Sequence, residues 1–108
     1  MTASRLSDCQ AAFKAREYVQ GMDKSVFLAD GRTQDAVIRC LTVIGEATTK
    51  IMASHAGFTE AHPEIPWRDM RTMRNRLTHG YNEINLDTVW DVTQIDLPAL
   101  LERFAKIE

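Results

Sequence analysis

Residues 33–54 read TQDAVIRCLTVIGEATTKIMAS, and this stretch decides the fold. Val37, Leu41, Ile44 and Ile51, with Cys40 and Ala47, recur at the helical period of about 3.6 residues. Thr33 suits the N-cap, and Asp35 falls in the first turn, where the positive end of the helix dipole favours an acid. Arg39, Thr42, Glu46 and Thr49 form a second, polar stripe, and Glu46 and Lys50 make an i,i+4 pair of favourable orientation. A helix with one apolar face has to bury it against other elements. No segment of the chain alternates apolar and polar residues with period two over a useful length, so those elements are expected to be helices.

Outward from this helix, the rest follows the same period. A first helix is expected from about Ser4 to Gln20, with Leu6, Cys9 and Phe13 in one stripe, Ala11, Ala15, Tyr18 and Met22 beside it, and Gly21 at its end. A short helical turn is expected over Ser25 to Ala29 with Ser25 as its cap, and Asp30-Gly31 reads as a turn. The central helix should stop between Ser54 and Gly57. His62-Pro63-Glu64-Ile65-Pro66 reads as an extended connector, because each proline disfavours helix. It leads into a third helix, Trp67 to His79, with Gly80 suited to the C′ position. Asp87 to Ile107 is striped by Val89, Trp90, Thr93, Leu97, Leu100, Leu101 and Phe104, and Pro98 interrupts it. Asp96 can cap a fresh start there, so a kink or two consecutive helices are expected. The architecture implied is an all-α bundle of four or five helices, one domain over 1–108.

Composition bounds the function classes. The chain has 108 residues, 44% hydrophobic and 26% charged, which excludes a disordered protein. No apolar run approaches the roughly 18–20 residues that a membrane-spanning helix needs. Met1 to Gln10 lacks the apolar core of a signal peptide, so a cytoplasmic location is expected. Cys9 and Cys40 are isolated and read as small buried hydrophobes rather than a disulfide. No Cys/His cluster has zinc spacing, and His55 and His62 show no obvious carboxylate partner, so neither metal nor cofactor is expected. The net charge of −2 argues against a uniformly basic nucleic-acid binder. Charge is nonetheless uneven: Arg68, Arg71, Arg74 and Arg76 face one acid, Asp69, over nine residues.

One of those arginines is out of place. With Met70 at the origin of a helical wheel, Leu77, Met73 and Trp67 fall within about 60° of it, and Arg74 falls inside the same sector at about 40°. A guanidinium on a core-facing stripe must be paired or must open onto a cleft. Pairing with a carboxylate such as Glu46 is one reading. An anion site, a rigid fork of donors suited to phosphate, is the other. Five residues on stands His79, whose imidazole can move a proton in either direction near neutral pH. An i,i+5 pair is about 140° apart around the axis and about 7.5 Å along it. Either the helix loosens at Thr78 and His79, or a two-fold dimer brings two histidines and two arginines to one cleft.

Arg74-Asn75…His79, an R-x-x-x-x-H pattern with a polar second residue, resembles the signature of HEPN-domain ribonucleases. Its extension to Tyr81 resembles the HepT-like toxin branch. The likeness is wider than the motif: 32–39 with Ile44-Gly45-Glu46-Ala47, Pro63-Glu64-Ile65-Pro66-Trp67, and Asp96-Leu97-Pro98 are similar to the family's blocks in the same order. The resemblance implies a helical bundle that forms a homodimer, and a metal-independent endoribonuclease acting as the toxin of a toxin–antitoxin pair. It implies that a nucleotidyltransferase antitoxin silences the toxin by AMPylation of Tyr81. His79 would transfer protons, Arg74 would bind the scissile phosphate, and Asn75 would orient one of them or donate to a phosphate oxygen. Arg68, Arg71 and Arg76 would either guide the RNA backbone or, as the plainer reading of any one of them, form a solvated helix face. A bundle of this form that binds RNA or a nucleotide without cutting it, and a purely structural bundle with a buried Arg–Glu pair, are the competing readings.

Overall fold

The computed structural model describes residues 3–79 and 84–107, with side chains over 10–77 and 84–106. Among these residues all the secondary structure is helical, without a strand. In chain order the helices are α1 (Ala3–Tyr18), α2 (Lys24–Leu28), α3 (Gly31–Ser54), α4 (Ala56–Ala61), α5 (Trp67–His79), α6 (Leu86–Asp91) and α7 (Leu97–Ile107), with a π-helical turn at Val92–Asp96 joining the last two. α3 is the hub, packing against α1 and α5 most extensively and touching α2, α4 and α6 as well. Its expected apolar face is the one buried: Val37, Leu41, Ile44 and Ile51 are each no more than 1% exposed.

The caps differ from expectation in an instructive way. α3 starts from Asp30, whose side chain accepts from the Thr33 amide at 3.1 Å and the Thr33 hydroxyl at 2.8 Å. The Thr33 hydroxyl and then its amide hold that carboxyl below the usual range. Thr33 thus serves the cap rather than being it. α2 is likewise capped by Asp23, which accepts from Val26, while Ser25 donates its hydroxyl to the same carboxylate. In both places an aspartate two or three residues upstream outcompetes a hydroxyl.

α1 buries a different face from the one expected. Ala11, Ala12, Ala15 and Val19 pack inward, and Phe13 is 60% exposed. The alanines allow α1 to lie close along α3, and that contact selects a face about 140° from the bulky stripe. The Leu6 and Cys9 side chains lie outside the described residues, and Cys40 is free and buried. The connector before α5 is a turn rather than an extended strand, closed by Ile65 N–H to His62 O, and it is preceded by the unanticipated α4. Ile65 plugs the core at 2% exposure, and the Trp67 indole donates to His62 O at 2.9 Å. His62 does have a carboxylate partner, Glu64 at 3.0 Å, whereas Glu46 and Lys50 form no ion pair. No described helix is long and apolar enough to cross a membrane.

Pro98 does not break the last helical stretch; the π turn absorbs it. Leu97 N–H donates to Val92 O, five residues back. The Thr93 carbonyl therefore loses its usual donor, and the next residue along, Pro98, has no N–H to offer. Arg16 of α1 fills the gap, donating from Nη1 to Thr93 O at 2.9 Å across 77 residues. The Thr93 side chain, fully buried, donates its own hydroxyl to Trp90 O at 2.6 Å. Arg16→Met keeps the aliphatic stem and deletes the donor. It should cost about 1–3 kcal/mol in urea or thermal unfolding; an unchanged midpoint would show that the carbonyl is satisfied without Arg16.

Candidate active site on the fifth helix

α5 begins at Trp67 and continues without interruption through His79, as expected. Trp67, Met70 and Leu77 are buried at 6–9% exposure, so they mark the face that meets α3. Arg74 is on that face. Gly45, buried in α3, is what makes room for it: a Cβ there would overlap the Arg74 Cβ and stand 2.8 Å from its Cγ and 3.1 Å from Met70 O. The arginine stem is therefore clamped against a neighbouring backbone. Half-buried overall, it has its Nε wholly buried with no hydrogen-bond partner among the described residues. No carboxylate pairs with it among those residues, Glu46 included, since Glu46 is exposed. A buried guanidinium nitrogen without a partner is costly, and Nε is closed to an incoming group, so only the outer nitrogens of this half-buried side chain are left to meet an acceptor from outside.

The remaining motif residues divide by helical register. Arg68, Arg71, Asn75 and His79 succeed one another at steps of three or four and share one ridge of α5. Asn75 and His79 are one turn apart on it. Arg74 stands about 140° from His79, on the flank toward α3. Thr78 does not loosen the helix, so the two backbone positions do not converge within one chain. Arg68 and Asn75 are exposed and Arg71 is half-buried, and none of the ridge arginines is ion-paired among the described residues. Arg76 is exposed too, but about 160° around the axis from Arg74, on the other flank of the ridge. It is separated from the other arginines. The side chain of His79, and Gly80 and Tyr81 entirely, lie outside the described residues.

Sequence reasoning missed Gly45. A glycine in mid-helix, five residues after Cys40 and beside Ile44, was legible as a possible close-approach point, but only the pairing of α3 with α5 shows what approaches. Among the described residues no group of three His, Cys, Asp or Glu side chains gathers as a metal site.

A helical bundle carrying Arg74-Asn75 and His79 on one helix has the HEPN form. The family described as ribonuclease HepT-like matches residues 9–107. A Thermococcus cleftensis protein provisionally named ribonuclease HepT is 43% identical over 81 residues, covering 75% of this chain and 71% of the relative. A Methanocaldococcus jannaschii protein provisionally named an RNase is 36% identical over 90 residues, 83% of this chain and 75% of its own length. Another of the same provisional kind, from Caldanaerobacter subterraneus subsp. tengcongensis, is 30% identical over 91 residues, 84% and 79% of the two chains. No solved structure gives a significant match. The chain belongs to the HepT-like ribonuclease family.

The Gly45 clamp is testable apart from activity. Gly45→Ala should destabilise the fold by about 1–3 kcal/mol through overpacking. Arg74→Ala should not relieve that loss, because the overlap is with the arginine Cβ, which alanine keeps. Full recovery in the double variant would mean that the outer arginine stem, not the helix approach, sets the constraint.

Proposed function

We propose that this protein is an endoribonuclease that cleaves RNA with the RNA's own 2′-hydroxyl, without a metal. It acts as the toxin of a toxin–antitoxin pair. The observation that carries the reading is the half-buried Arg74, its stem clamped against Gly45, on the same helix as Asn75 and His79. The arginine supplies fixed positive charge to the scissile phosphate and to the charge that grows on it in the transition state.

The reaction moves two protons. A base takes the proton of the 2′-hydroxyl as that oxygen attacks phosphorus. An acid gives a proton to the departing 5′-oxygen, leaving a 2′,3′-cyclic phosphate. One chain offers one histidine for these tasks at this site. α5 remains helical through His79, which favours the two-copy arrangement over a local unwinding of the helix. In a homodimer with two-fold symmetry the His79 of one copy serves as base and the other as acid, with both Arg74 side chains on the phosphate. Asn75, one turn before His79, orients the imidazole. Arg68 and Arg71 guide the RNA backbone along the same ridge, and Arg76, on the far flank, contributes least.

Regulation follows from position. Tyr81 is two residues beyond His79. AMP units transferred to its hydroxyl by a nucleotidyltransferase antitoxin would bring phosphate charge and bulk beside the groups that receive RNA phosphate, and so silence them.

His79→Ala should lower cleavage about 100-fold or more with RNA affinity nearly unchanged, and chelators should leave the wild-type rate intact. If affinity falls in parallel with toxicity, the protein is a binding module. A heterodimer with one His79→Ala subunit should be as slow as the doubly substituted dimer; half-activity would refute the two-histidine mechanism.

A further inference from the structure

α1 and α3 enclose a second groove, on the α1 side of α3. Its volume is about 330 Å³, within the range of small-ligand sites. Lys14 and Arg39 stand on its two walls, Gln10 and Tyr18 beside them, with Ala36 and Cys40 below. No carboxylate lines it, and neither cation is ion-paired among the described residues. In a chain of net charge −2, a groove with two cations and no acid among its described lining residues is a local reversal of sign. Tyr18 is 45% exposed, with its ring available at the rim. Both cations reach the floor electrostatically: burial pushes the Cys40 thiol up, and Lys14 and Arg39 oppose that shift. The small floor residues leave the space open, and nothing in the packing of the bundle requires a cation on each wall.

The geometry points to a binding site for a nucleoside phosphate: Lys14 and Arg39 take the phosphate oxygens, the Tyr18 ring stacks on the base, and Gln10 offers hydrogen bonds to the polar edge. Cation pairs with an aromatic ring suit single-stranded nucleic acid without demanding a sequence. The groove and Arg74 flank the same polar ridge of α3, formed by Thr42, Glu46 and Thr49. Helix α3 is about 10 Å thick, so a strand crossing the ridge would reach both. The proposal takes the RNA reading as its setting but is read by binding alone. The ligand is a nucleotide unit of an RNA strand or a free mononucleotide, and the test separates the two.

Two probes are titrated into the full chain: a short, noncleavable 2′-O-methyl RNA, across a salt series, and adenosine monophosphate, followed by NMR at the Tyr18 ring. Lys14→Ala/Arg39→Ala replaces two surface cations and should keep the wild-type circular dichroism. With a strand in the groove, the double variant binds the RNA about tenfold more weakly at low salt, and its salt slope is about 1.4 smaller, as for two lost phosphate contacts. Tyr18→Ala should weaken binding and Tyr18→Phe should restore it. Cation-dependent binding of the mononucleotide, with an unchanged RNA slope, would identify a free nucleotide as the occupant. Unchanged RNA binding in the variant together with no Tyr18 response to the mononucleotide would overturn the proposal. A chain that cleaves no RNA, yet shows these groove effects, would refute the nuclease reading and leave this one standing.

Discussion

The approach of α5 to α3 at Gly45 governs both the packing and the chemistry of this molecule. A hydrogen at that one position lets the Arg74 stem lie against the α3 backbone. The same contact line continues toward the core, where the Thr48 hydroxyl meets the Met70 sulfur at 4.0 Å. Gly45 meets Arg74 and Thr48 meets Met70, so the two helices run in opposite directions along this contact. The aliphatic part of Arg74 contributes burial, as long cationic side chains do. Its Nε is buried without a partner among the described residues, and the clamped stem has already lost rotamer freedom on folding. A site that must hold a phosphate in a fixed geometry benefits from that restriction.

A second long-range contact secures the other side of the bundle. The π turn before Pro98 frees a carbonyl, and Arg16 satisfies it from α1. Two arginines thus brace the two sides of the hub helix's bundle in opposite ways. Arg16 has found its acceptor inside the chain, and Arg74 has not found one among the described residues for its Nε. Both are half-buried, so burial alone does not tell the two apart. The separating feature is whether the fold has already supplied the acceptor.

The long-period features were legible in the residues. α3 and α5 were readable because their stripes are long and unbroken, and Arg74 stood out as a charge within an apolar sector. What was not legible depended on partners distant in sequence. The inward face of α1 is chosen by α3, which accepts alanines and rejects Phe13. The π turn is a solution to Pro98 that needs Arg16, 77 residues away from Thr93. Asp23 and Asp30 took the caps from Ser25 and Thr33 because both kinds of residue were available within one turn, and spacing did not rank them. Gly45 looked like an ordinary mid-helix glycine until the opposing helix was in place.

The straightness of α5 limits how a single chain could use this motif. A helix fixes Arg74 well, but the same regularity keeps it about 140° from His79. Unwinding the last turn would let the two converge, at the cost of the backbone hydrogen bonds that hold the turn and of the rigidity that makes the arginine useful. A symmetric pair of chains avoids that conflict. Each helix stays regular, each arginine stays clamped, and convergence is supplied by the symmetry axis rather than by distortion. It also duplicates the titrating group without duplicating the gene. Were one site built from two such rigid helices, as proposed, the spacing of five would follow: the arginine would be set by its own fold and the histidine by the symmetry axis.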